Sequence, residues 1–125
     1  MRRCSLAILA LLAACTTGIG EAGGTVAVID GVVELSARDL RFDASVIMAP
    51  AGRPFVIDLT NREAVPHNVS VYTRAGGEAL AIGDIIDVAG RRTRVAVPAL
   101  EGGTYIFVCD AHPQVMSGTI VVGGP

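Results

Sequence analysis

The chain has 125 residues, two His, three Cys, no Trp and a formal charge of −2, and its ten basic residues are all Arg. That length accommodates one domain and excludes multi-domain enzymes and nucleotide-binding folds that carry a separate substrate domain. A weakly acidic chain with few aromatics and no basic run points away from nucleic acid as a partner.

The first residues read as an address. Met1-Arg2-Arg3 is a short positive segment, and Ser5 to Ala14 is an apolar run that is too short to span a bilayer. Residues 1–14 are therefore expected to be a signal peptide. The run ends Leu12-Ala13-Ala14-Cys15, which resembles the bacterial lipobox, where a Cys is lipidated and becomes the new N-terminus. Cys15 is the expected lipidation site, and residues 15–24, small and Gly-rich, the expected flexible tether. The mature domain, residues 25–125, would be exported and held on a bacterial membrane, facing the periplasm or the cell exterior. Processing removes Cys4 and blocks Cys15, so Cys109 is the one remaining thiol. In an oxidising compartment a lone thiol is a liability unless something holds it.

Beyond the tether the pattern is one of short strands. Thr25–Ile29 and Val32–Ser36 flank Asp30-Gly31, a hairpin signal. Leu40–Phe42 and Val46–Met48 follow, with Met48 read as core. The stretch from Pro50 to Pro54 reads as a turn. Phe55, Ile57 and Leu59 alternate with their neighbours, as do Val69 and Val71. Thr93–Val97, Thr104–Cys109 and Gly118–Val122 complete the set, while Ala79–Val88 fits a short helix or a strand. A recurring period of two with Gly and Pro turns predicts an all-β fold, an antiparallel sandwich.

The residues capable of chemistry are concentrated. Cys109, His112 and Met116 lie within eight positions, and the other histidine, His67, lies about forty residues upstream in Val65-Pro66-His67-Asn68. Two imidazoles, a thiolate and a thioether make a soft mixed donor set that suits copper in both of its oxidation states. A strand ending at Cys109 would deliver the thiolate at the sandwich rim, and one tight loop would return through His112 to Met116. His67 would tie that loop to the body of the domain.

The pattern Tyr105-x-Phe107-x-Cys109-x-x-His112-Pro113-x-x-Met116-x-Gly118, with Pro66-His67-Asn68 upstream, resembles the blue copper proteins, or cupredoxins. Three residues separate His112 from Met116, one fewer than is typical of plastocyanins and one more than of amicyanins. The resemblance implies a Greek-key β-sandwich holding one type 1 copper and transferring single electrons between redox protein partners. It implies that His67, Cys109 and His112 are equatorial ligands and Met116 a weak axial one. Asn68 would aim its backbone N–H at the Cys109 sulfur, and the exposed edge of His112 would be the electron port. Ala111 keeps a backbone N–H where plastocyanin has Pro, which suggests a second hydrogen bond to the thiolate. Val65, Pro66, Pro113 and Val115 would form an apolar patch for a partner, and the protein would act as a monomer.

Other functions fit less well. A copper chaperone or buffer would use similar ligands, but it has to release the metal, and His and Met are scarce outside the site. A Cys109–His112 nucleophile and base would lack any readable oxyanion site, so no enzyme is expected. Structural zinc accepts Cys and His but gains little from a thioether.

Overall fold

The computed structural model describes residues 23–123. It contains ten strands and, among the described residues, no helix. These are β1 (Gly24–Ala27), β2 (Val32–Arg38), β3 (Arg41–Phe42), β4 (Ala44–Ala49), β5 (Phe55–Asn61), β6 (Ser70–Tyr72), β7 (Ala79–Ala81), β8 (Arg92–Val97), β9 (Gly103–Val108) and β10 (Ser117–Val122). They form a sandwich of two sheets, ordered β1-β4-β10-β9-β6-β7 and β3-β2-β5-β8. The expected signal peptide and most of the expected tether lie outside the described residues.

Alternation builds the core as the sequence predicts, because successive side chains of a strand face opposite sides. Val33, Leu35, Ile57, Leu59, Val95 and Val97 are buried from one sheet, and Ile47, Val71, Phe107, Ile120 and Val122 from the other. Phe42 and Phe107 join the two layers with ring centroids 5.3 Å apart. Gly118 lies across from Phe107 in the β9–β10 ladder. A Cβ on Gly118 would collide with the Phe107 ring and lie 2.7 Å from the carbonyl oxygen of Ser45, so close packing, rather than backbone freedom, requires glycine there.

Four expectations need correction. Asp30-Gly31 does form a tight turn, with positive φ at both residues (50° and 78°) and reciprocal Ile29–Val32 hydrogen bonds. It does not join a hairpin, because β1 pairs with β4 in one sheet and β2 with β3 and β5 in the other. The sheets are mixed rather than antiparallel: β1–β4, β4–β10 and β2–β5 are parallel. This arrangement follows from the chain crossing between layers, since strands in one sheet are then separated by excursions into the other. Leu40 is not in a strand; it and Asp39 form the turn between β2 and β3. Met48 is 37% exposed, because Ile47 takes the inward position beside it. The undecided segment 79–88 begins as strand β7 and continues as irregular chain in which Ile86 pairs with His67.

Candidate metal centre

Three neighbouring strands converge on one end of the sandwich. Ser70 of β6 and Ser117 of β10 both pair with Val108 at the end of β9. The chain just before β6, just after β9 and just before β10 therefore meets at one rim, and these stretches carry His67, Cys109 and Met116. The loop after β9 is closed by its own backbone: Cys109 N–H donates to Met116 O at 3.0 Å, His112 N–H to Cys109 O at 3.1 Å, and Met116 N–H to His112 O at 3.0 Å. His67 is fixed by a reciprocal backbone pair with Ile86, both bonds being 2.9 Å.

The structure brings His67, Cys109 and His112 together, with one donor atom from each lying within 4.8 Å of the others. His67 Nδ1 lies 3.8 Å from Cys109 Sγ. Two donors held by one ion at roughly 2.0 and 2.3 Å, about 120° apart, would be separated by about 3.7 Å, so this spacing suits a shared ion. The rings of His67 and His112 stand edge to face at 5.1 Å. Cys109 and His67 are fully buried, Met116 is 1% exposed, and the ring of His112 is only partly covered. The Nε2 atom of His112 is shielded from solvent and has no hydrogen-bond partner. A buried nitrogen without a partner is costly. On a ring that stands 5.1 Å from that of His67, it fits a metal-binding role.

Two acidic residues organise the centre, and sequence reasoning gave neither a role. Glu63 Oε1 lies 2.6 Å from His67 Nε2. A carboxylate only accepts, so Nε2 carries the proton and the Nδ1 lone pair faces the thiol. The hydrogen bond from His67 holds the Glu63 carboxyl below its ordinary value; desolvation opposes this, and the Asp39 and Leu40 N–H groups reinforce it. The available signal was a Glu four residues before a candidate ligand His. Behind Glu63, the fully buried Asn61 donates to Val65 O (2.8 Å) and Ile86 O (2.9 Å) and accepts from Glu63 N–H (3.0 Å).

The second acid, Asp110, accepts hydrogen bonds from Ser70 Oγ, Asn68 Nδ2 (2.7 Å) and Tyr72 Oη (2.7 Å). Its own N–H donates to Asn68 Oδ1 at 2.7 Å. Burial pushes the Asp110 carboxyl up, but the bonds from Ser70, Tyr72 and Asn68 outweigh it and hold the group below its ordinary value. The side chain of Asn68 thus ties the His67 segment to the Cys109 loop. None of the described hydrogen bonds runs from the backbone N–H of Asn68 or of Ala111 to the Cys109 sulfur, and Ala111 is exposed. His112 is partly covered; Pro66, Pro113 and Val115 are exposed and Val65 is half-buried.

An all-β sandwich with a buried Cys, two convergent imidazoles and a thioether at one rim defines a class of metal-binding electron-transfer domain. The profile of the cupredoxin-like domain matches residues 4–122, and the chain belongs to that family. Amicyanin-alpha of Methylorubrum extorquens is 30% identical, the match covering 94% of this chain and 98% of that protein. Amicyanin of Paracoccus denitrificans is 28% identical over 76% of this chain and 68% of its own length. Among solved structures, auracyanin A, a "blue" copper protein of Chloroflexus aurantiacus, superposes with a TM-score of 0.65 at 21% identity, covering 80% of this chain and all of its own. Amicyanin from Paracoccus versutus gives 0.55 at 22% identity, with 77% and 85% covered. These two structural likenesses are likenesses of fold.

Proposed function

We propose that this cupredoxin is a one-electron carrier whose His67, Cys109 and His112 would hold a single copper ion, with Met116 as a weak fourth ligand. The observation that carries the reading is the convergence of the buried Cys109 thiol and two imidazoles, His67 and His112, with one donor atom from each within 4.8 Å of the others. When bound, copper supplies a centre that cycles between Cu(I) and Cu(II) without breaking a covalent bond. The chain's own contribution is rigidity. Backbone bonds close the Cys109–Met116 loop, Glu63 fixes the His67 ring, and Asp110 locks the two ligand segments together. Burial of Cys109 and His67 keeps solvent from the thiolate. The partly exposed His112 is the route by which electrons reach a docked redox protein, with the exposed Pro66, Pro113 and Val115 as its apolar docking residues. The metal site uses both histidines and the one thiol of the mature domain, so no imidazole is left as a general base for catalysis.

The N-terminal residues support export and lipid anchoring through Cys15, which would keep the carrier near membrane-bound redox enzymes. Mass spectrometry of the protein purified from its membrane tests this. The expected result is a lipidated Cys15, and an unmodified N-terminus elsewhere in the chain removes that part of the reading.

The test of the centre is a visible spectrum of residues 25–125 titrated with Cu(II). An intense thiolate-to-copper band saturating at one equivalent and lost in Cys109→Ser is expected. A folded protein that gives no such band refutes the electron-transfer assignment and leaves Cu(I) handling or zinc binding.

A further inference from the structure

The turn joining β2 to β3 is strained in a way its hairpin does not require. Two residues connect the paired positions Arg38 and Arg41, and both have positive φ, 53° at Asp39 and 56° at Leu40. Positive φ at both central positions is the type I′ geometry, for which Asn-Gly is the unstrained choice. Leucine is disfavoured there because its Cβ crowds the following carbonyl. Leu40 is 43% exposed, so little core burial offsets this cost. Backbone outliers of this kind cluster where they serve a function.

Consecutive residues in such turns point their N–H groups to one side and form a concavity for an anion. The anion here is the carboxylate of Glu63. Leu40 N–H donates to Glu63 Oε1 at 3.3 Å. That same Oε1 accepts from His67 Nε2 at 2.6 Å. The chain that carries Glu63 is itself fixed, Arg62 N–H donating to Ala37 O at 2.9 Å and Glu63 N–H to Asn61 Oδ1 at 3.0 Å. The carboxylate is held between a turn of one sheet and a metal-site residue beside the other.

We propose that Asp39 and Leu40 are positioning residues for the metal centre: their turn holds the Glu63 carboxylate where it keeps the His67 proton on Nε2 and leaves Nδ1 free toward Cys109. This rests on the reading of His67 as a ligand. A carboxylate on the outer nitrogen raises ligand basicity, which favours the more highly charged oxidation state. Loosening the turn should therefore raise the reduction potential.

Two double variants separate positioning from simple hairpin closure. D39N/L40G keeps the type I′ turn. D39G/L40S favours type II′, with the same loop length but the central peptide reversed, so that the residue-40 N–H points away from Glu63. The first readout is the tautomer of His67 in metal-free protein, from long-range ¹H–¹⁵N correlation of its ring nitrogens. Wild type and D39N/L40G should show the Nε2–H form alone, and D39G/L40S a several-fold gain in Nδ1–H. The second is the potential of the copper-loaded forms: unchanged in D39N/L40G, raised in D39G/L40S, and not raised further by D39G/L40S in an E63Q background. A folded D39G/L40S with the wild-type tautomer overturns the proposal. Should D39G/L40S not fold, E63Q tests the same link from its other end. It should shift the Leu40 amide signal and mix the His67 tautomers together, and leaving either unmoved overturns the proposal. A tautomer change in protein that binds no copper would sink the metal reading and leave the positioning link standing.

Discussion

The backbone N–H of Cys109 donates to the carbonyl oxygen of Met116 over 3.0 Å, so the two ends of the candidate ligand loop are fastened by the protein itself. The β9–β10 ladder has effectively been extended by one more rung past Val108 and Ser117. The loop's shape is then a property of the chain rather than of a bound ion. In metal-free protein the Cys109 amide should exchange with solvent as slowly as the amides of β9. Hydrogen exchange followed by NMR tests this, and protection that appears only on adding copper would show that the metal organises the loop.

Asn61 has a comparable role on the other side of the centre. Its buried amide spans Val65 O, Ile86 O and Glu63 N–H, holding the loop that leads to His67. Asn61→Ala removes three hydrogen bonds and leaves their partners to find water. A loss of about 2–4 kcal/mol is expected, read as a lower urea midpoint at unchanged m-value. A loss under about 0.5 kcal/mol would mean that the loop is held by other contacts.

Tyr72 and Asp110 give a pH signature of the contact beside the Cys109 loop. The hydrogen bond to Asp110, helped by partial burial and by the Asp110 charge, raises Tyr72 above its ordinary value of 10.0. The folded state therefore keeps this proton at pH values where the unfolded state has released it. The pair's stabilisation is fully present below pH 10.0 and is lost as pH rises through the folded value. The ring signals of Tyr72 should titrate above 10.0, and Asp110→Asn should bring them back toward it. A titration unmoved by Asp110→Asn would assign the shift to burial alone.

Gly118 tests the packing beneath the loop. Gly118→Ala would push a methyl group into the buried Phe107 ring and the Ser45 carbonyl. Overpacking of this kind costs about 1–3 kcal/mol, and thermal unfolding should show a lower Tm. Because Met116 is two residues away, the copper band should also shift in position or relative intensity. A variant with wild-type Tm and spectrum would show that Phe107 can move aside.

The one-dimensional signals were strongest where chemistry and spacing coincide. Cys109, His112 and Met116 stand within eight positions, and a chain returning between adjacent strands cannot carry them far apart. The alternation of Phe55, Ile57 and Leu59 likewise marked a core strand, because a pleated strand must face one layer or the other. Asp30-Gly31 was legible as a turn but not as a layer crossing, since the same two residues serve either purpose. Asp39-Leu40 was not legible at all, because Leu is a poor marker of positive φ.

The sequence by itself determined an all-β chain, most of its inward-facing positions, Met48 excepted, and the donor atoms available to a metal, because these follow from local period and residue type. Only the tertiary structure decided that β1 and β2 part into different sheets, that Asp110 ties Asn68 to the Cys109 loop, and that Glu63 lies between the Leu40 turn and His67. Those contacts join residues 42 and 23 positions apart. They form when two sheets pack face to face, and no local pattern along the chain encodes which side chains that packing will bring together.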